Sequence, residues 1–312
     1  MRILVSGANG FIGRALCHHL SLLGHSVFPA VRSLSGLQGE YVIRNKSSWI
    51  SALSRFSSVV HLAGRTHVMK DKEQDSLRVF RNVNVDATIQ LANIAVEAGV
   101  KRYIFMSTVK VNGEETFPGY SFKPDGLPVP HDPYAISKCE AEQGLFEIAK
   151  KTGLDIVIIR PPLVYGPDVQ GNFETMIRWV RSGVPLPFGL INNSRSMIAL
   201  ENLVSFTALC ADIEASPNAK DQIFLVADGE DVSTSELLRR IAKAYGNNGR
   251  LLLVPAGFIW FLARLMGKEA IASGLLGSLV VDRSKTREVL GWDPPMSMDN
   301  QLKKMARYDT VA

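Results

Sequence analysis

Seven residues near the amino terminus limit the fold more than any other feature of the chain. Gly7-Ala-Asn-Gly10-Phe-Ile-Gly13 follows an apolar strand at residues 2–6 and opens a helix at residues 10–23, closed by Gly24. Glycines at this spacing let the backbone turn tightly and approach a pyrophosphate. The helix N-terminus adds amide protons and the positive end of a dipole. A glycine triplet alone is a weak signal, but the strand–turn–helix context makes this one a dinucleotide site. Gly7, Asn9, Gly10, Phe11, Ile12 and Gly13 are its candidate contacts.

The segments that follow keep the same alternation. Apolar strands are expected at residues 26–31, 57–63, 102–106 and 155–160, with helices at 79–98 and 133–151 between them. Strands with nearly continuous apolar runs are covered on both faces, so the fold class is α/β, a Rossmann doubly wound parallel sheet. After Arg160 prolines and glycines crowd the chain and strands shorten. Residues 1–165 are read as the dinucleotide-binding domain, with a return of residues 197–227. Residues 166–312 form a smaller C-terminal α/β substrate lobe, in which Ser233 and Glu236 form a capping box.

Composition excludes several function classes. The chain has 312 residues, 46% of them hydrophobic, and a net charge of +5 that no basic run concentrates. Nucleic acid is a poor partner for so thin an excess. The three cysteines (Cys17, Cys139 and Cys210) form neither a disulfide framework nor a metal knuckle, which suits a reducing cytoplasm; no metal-ligand spacing occurs. The most apolar stretch, residues 251–266, is short of the ~20 residues of a bilayer span. It reads as a buried strand and a core-facing helix, in preference to contact with a membrane surface.

The second strand carries information about the cofactor. NAD sites place an acid at its end, to hold the adenosine ribose. Here the sequence is Val27-Phe-Pro-Ala-Val31-Arg32-Ser33, with no acid. Arg32 can pair with a 2′-phosphate that a carboxylate would repel. The electrostatics favour NADP(H), with NAD as the alternative.

Tyr134 and Lys138 are the catalytic signal. With Asp132 as N-cap and Pro133 as first helical residue, they lie four apart on one face of the first turns. A nearby ammonium and the helix N-terminus are expected to lower the phenol's pKa from its free value of ~10. Ser107-Thr108 ends the strand at 102–106, on the sheet edge where such folds bind ligands. His61 reads as structural, and the proline-rich loop at residues 116–133 as a flap.

These pieces, in this order, resemble the extended short-chain dehydrogenase/reductases of the nucleotide-sugar epimerase/dehydratase kind. The matching segments are GANGFIG, HLAG at 61–64, NVDAT at 84–88, GVKRYIFMSTVKVNGE at 99–114, PYAISK at 133–138, RPPLVYGP at 160–167 and DRSKTREVLGWDP at 282–294. The resemblance implies Tyr134 as acid/base, Lys138 as its helper and grip on the nicotinamide ribose, and Thr108 as hydroxyl partner, with Ser107 as fallback. It implies that Leu62, Ala63, Gly64, Asn84 and Pro161 shape the cofactor site. It places Asn172 and Arg195, with Thr108, at the substrate. The second phosphate-binding arginine of related epimerases is missing from residues 270–278; Arg250, Arg264 and Lys268 are candidates to replace it.

The implied reaction is hydride transfer at C4 of a UDP-hexose by a cytoplasmic homodimer paired through the helices at 79–98 and 133–151. Arg32 and the second lobe favour a 4-keto reductase, similar to those of bacterial surface-polysaccharide synthesis that make UDP-N-acetylquinovosamine. A UDP-glucose or UDP-N-acetylglucosamine 4-epimerase is the alternative, and a non-catalytic NADP-binding regulator a third reading. A dehydratase is disfavoured, because Val109-Lys110 stands where an Asp–Glu pair is expected.

Overall fold

A computed structural model describes residues 1–31, 41–42, 50, 53–66 and 76–311. Its strands are β1 (Arg2–Ser6), β2 (Ser26–Val31), β3 (Tyr41–Val42), β4 (Ser58–His61), β5 (Arg102–Met106), β6 (Asp155–Arg160), β7 (Leu163–Tyr165), β8 (Arg195–Ala199), β9 (Gln222–Leu225) and β10 (Asp231–Val232). The helices of the first half are α1 (Phe11–Leu22), α2 (Ser76–Arg81), α3 (Ala87–Glu97) and α4 (Pro133–Thr152). Those of the second half are α5 (Asn172–Arg181), α6 (Leu200–Ala211), α7 (Thr234–Ala244), α8 (Ala256–Leu265), α9 (Glu269–Leu276), α10 (Ser284–Leu290) and α11 (Met298–Val311).

Seven strands form one parallel sheet in the order β3-β2-β1-β4-β5-β6-β9. Successive side chains of a strand point to opposite faces, and the apolar runs fill both. Ile3, Val5, Ile104, Met106, Val157 and Ile159 face one core, shared with Leu16 and Leu20 of α1 and Phe206 of α6. Leu4, Tyr103, Phe105, Ile156 and Ile158 face the other, under Leu91 of α3 and Leu145 of α4. Each such side chain contributes about 1.5–3 kcal/mol by leaving water. The polar anchor lies at the opposite edge from the ligand edge: Arg102 and Asp155, the first residues of β5 and β6, form a buried ion pair at 2.7 Å.

A small sheet, β10-β8-β7, carries a third core. Its central strand joins two of the three. Met197 and Ala199 of β8 face the third, while Ile198 between them faces the core that holds Leu16 and Phe206.

The helix expected at residues 79–98 is continuous through α2 and α3, with a π-helical turn, Asn82–Asp86, between them. Asn84 of that turn is buried, and its amide meets Arg65 and Ser137. The expectation for the apolar run is corrected. Residues 251–266 are not core. Leu252 and Leu253 are exposed, and α8 buries none of its residues. No described helix is long and apolar enough to cross a membrane.

Candidate active site

The glycine turn is built by close approach. Gly7 has φ +72°, and a Cβ there would stand 2.7 Å from the amide nitrogen of Ala63. A Cβ at Gly13 would stand 2.2 Å from the carbonyl oxygen of Gly7. The N-cap of α1, Gly10, offers no side-chain cap, so the first amides of the helix stay open to a ligand. Gly7, Asn9, Gly10, Phe11, Ile12 and Gly13 all line a cleft of about 2700 Å³ at the C-terminal edge of the large sheet. Leu62, Gly64 and Pro161 line it too, whereas Ala63 packs behind Gly7. An uncapped helix end within a cradle that any Cβ would fill fits a dinucleotide pyrophosphate. Arg32 lies outside the described residues.

Behind the cleft, one chain of hydrogen bonds fixes the strand ends. Thr88 donates its hydroxyl proton to the carbonyl of Asn84 at 2.7 Å. Its oxygen therefore accepts from Nε2 of His61 at 3.0 Å, and Nδ1 of His61 accepts from the hydroxyl of Ser6 at 2.6 Å. Burial, with the Lys138 ammonium, pushes the imidazole down to about 3, so His61 is a neutral structural link. Asn84 does not line the cleft. Its side chain accepts from the backbone nitrogen of Arg65 at 2.8 Å and donates to the hydroxyl of Ser137 at 3.0 Å. It clamps the chain beyond β4 onto α4.

That helix carries the catalytic candidates. Asp132 caps it, accepting from the backbone nitrogen of Ala135 at 2.6 Å, and its other oxygen pairs with Lys110 at 2.5 Å. One carboxylate thus ties the turn after Thr108 to the turn that holds Tyr134. Tyr134, Lys138 and Thr108 line the same cleft. Lys138 is buried, donates to the carbonyl of Met106 at 2.8 Å and lies 4.4 Å from the centre of the Phe105 ring. Burial pulls its amine down to about 8, against the opposing field of Glu142. The Tyr134 phenol departs from expectation: burial, and then the charge of Asp132, push its pKa up instead of down. Desolvation of the phenolate outweighs the helix N-terminus here.

The two hydroxyls after β5 have different tasks. Ser107 donates to the carboxylate of Glu142, which also pairs with Arg160 at 2.5 Å. Arg160 donates in turn to Asn112 at 3.0 Å. Ser107 is therefore engaged in a buried network. Thr108 accepts only from the backbone nitrogen of Lys110, at 3.3 Å. Its proton has no partner among the described residues and is available in the cleft. No spacing in the sequence points to the Glu142–Arg160–Asn112 network; its one trace there is Glu142, four residues after Lys138 on α4.

The second-lobe candidates do not reach this cleft. Asn172 is exposed at the first position of α5. Arg195 donates to the carbonyl of Gly277 at 3.0 Å. Neither lines the cleft, and neither do Arg250, Arg264 and Lys268. The cations that line it from this side are Arg178 and Arg181 of α5 and Lys304 of α11. The proline-rich loop does not line it either: Phe122 accepts from Asp282 and donates to Val280, which ties the loop to residues 280–282.

Comparison with known proteins agrees with this geometry. The model of the NAD dependent epimerase/dehydratase family matches residues 3–223. A UDP-glucose 4-epimerase of Vibrio cholerae is 42% identical, over 98% of this chain and 94% of its own. Among solved structures, a UDP-N-acetylglucosamine 4-epimerase from Bacillus cereus shares the fold at a TM-score of 0.80 and 20% identity, covering 98% of both chains. A Thermus thermophilus UDP-glucose 4-epimerase, solved with NAD, shares it at 0.77 and 22% identity over 100% of both. The Rossmann sheet, its glycine turn and the match over most of the chain have one consequence: this chain belongs to the NAD dependent epimerase/dehydratase family of extended short-chain dehydrogenase/reductases.

Proposed function

We propose that the protein is a UDP-hexose 4-epimerase that works with NAD. The Vibrio cholerae relative, 42% identical over 98% of this chain, supports this reading over the reductase favoured by the sequence alone. Tyr134, Lys138 and Thr108 line one cleft, which supports this reading. A bound nicotinamide supplies the hydride chemistry at C4. Tyr134 moves the proton, taking it from the C4 hydroxyl and returning it to the C4 oxygen. Thr108 donates a hydrogen bond to that oxygen as charge develops on it. Lys138, anchored on Met106, holds a cation at the floor of the site. Arg178, Arg181 and Lys304 line the cleft from the second lobe, each already paired with a carboxylate: Glu174, Asp309 and Glu201.

One feature carries a second reading, reduction of a 4-keto sugar with NADPH: the end of β2 offers no acid to the adenosine ribose. The nucleotide released on denaturing the purified protein separates the two. Retained NAD supports the epimerase; an empty protein that prefers NADPH supports the reductase. The same proposal includes a homodimer paired through α3 and α4, and a cytoplasmic protein whose three cysteines are free thiols.

A further inference from the structure

The apolar run at residues 251–266 lies outside the core, and its pattern on α8 is specific. Ile259 packs against the core of the small sheet. Phe258, Phe261, Leu262 and Leu265 fall at i, i+3, i+4 and i+7, so they form one stripe along the helix. They are 54%, 58%, 42% and 68% exposed. A helix at a water-facing surface carries polar residues on that stripe. Arg264 borders this stripe, Trp260 projects from the far side of the helix, and Lys268 stands in the turn into α9. Glu269 is the only acid in residues 251–276, and it lies 3.7 Å from Arg264.

We propose that α8 and the turn into α9 dock the protein on the surface of an anionic lipid bilayer. The Phe258–Leu265 stripe enters the boundary between headgroups and acyl chains, and Arg264 and Lys268 meet the lipid phosphates. An apolar stripe bordered by cations is the pattern of a helix lying in that interface. Ten residues rise about 15 Å, half a bilayer core, so the helix lies on the membrane and does not cross it. The charge pattern favours lipid over a second copy of the chain. Two copies paired by a two-fold axis through this stripe would each bring the same two cations and one acid.

The test is flotation of the full-length protein with vesicles of phosphatidylcholine alone and of phosphatidylcholine with phosphatidylglycerol. Sedimentation velocity gives the oligomeric state in parallel. Binding to the anionic vesicles should weaken about tenfold or more in Phe261→Ser, from the apolar area lost, and in Arg264→Glu/Lys268→Glu. Far-UV circular dichroism should be unchanged in both. The surface variant Lys243→Ser should bind as the wild type does. Equal binding of wild type and both stripe variants, or none to either vesicle, overturns the proposal. So does a dimer that Phe261→Ser dissociates without any vesicle binding.

Discussion

The ammonium nitrogen of Lys138 lies 2.8 Å from the carbonyl oxygen of Met106. Met106 is the last residue of β5, two before Thr108, and Lys138 is one helical turn beyond Tyr134. This hydrogen bond joins the helix that carries the phenol to the strand end that carries the hydroxyl. The Asp132–Lys110 pair makes the same connection from the other side of Thr108. The spacing of the two reactive groups is thus fixed before any ligand enters.

The protonation of Lys138 has a measurable consequence. Its amine, held at about 8 in the fold, has an ordinary value of 10.5. Between those values the unfolded chain binds the proton that the folded chain has released. Stability from this site therefore rises with pH between about 8 and 10.5 and is lowest below about 8. Against Lys138→Met, wild type should gain unfolding free energy on the order of 3 kcal/mol across that window. Denaturant unfolding at stepped pH measures it, and a flat difference would contradict the burial argument.

Tyr134→Phe should lower turnover by about 10²–10⁴-fold, the usual range for a lost acid/base group, and leave cofactor affinity nearly unchanged. Thr108→Val should lower it by a smaller factor, and Ser107→Ala should act mainly on stability, because Ser107 serves Glu142. Steady-state rates and thermal unfolding of the three variants separate these roles. A Ser107→Ala loss in kcat as large as that of Thr108→Val would reverse the assignment.

Glu142→Leu should destabilise the protein by about 3–5 kcal/mol, because it strands the buried Arg160 charge. The double variant Glu142→Leu/Arg160→Met should regain much of that loss. Chemical denaturation of the single and double variants gives the comparison. A double variant no more stable than the single one would show that packing, not the stranded charge, sets the cost.

Gly7→Ala should cost about 1–3 kcal/mol for the strained backbone and weaken dinucleotide binding at least tenfold. The new Cβ meets the backbone of Ala63, which cannot move without shifting β4. Fluorescence titration with NAD(H) reads the second effect; unchanged affinity would remove the glycine turn from the site.

What the sequence made legible was local. The glycine turn, the Tyr134–Lys138 face and the strand runs each depend on spacing within one element or one turn, and all appear in the structure. The features missed depend on residues distant in sequence. Asn84 sits in a π turn, and Arg65 and Ser137 meet its amide there. Arg195 serves a carbonyl 82 residues away. The rise in the Tyr134 pKa comes from burial, which motif spacing does not encode. The apolar run at 251–266 illustrates a further limit: hydrophobicity says that a segment avoids water, not whether protein or lipid covers it.

Epimerisation of a UDP-hexose at C4 is tested by incubating the purified protein with UDP-glucose, without added reductant, and following the sugar anomeric signals by proton NMR. UDP-galactose should appear and reach a fixed ratio with UDP-glucose, and Tyr134→Phe should be inactive. No interconversion by a folded, NAD-loaded wild-type protein, together with stoichiometric oxidation of NADPH by a UDP-4-keto-6-deoxyhexose, would contradict it.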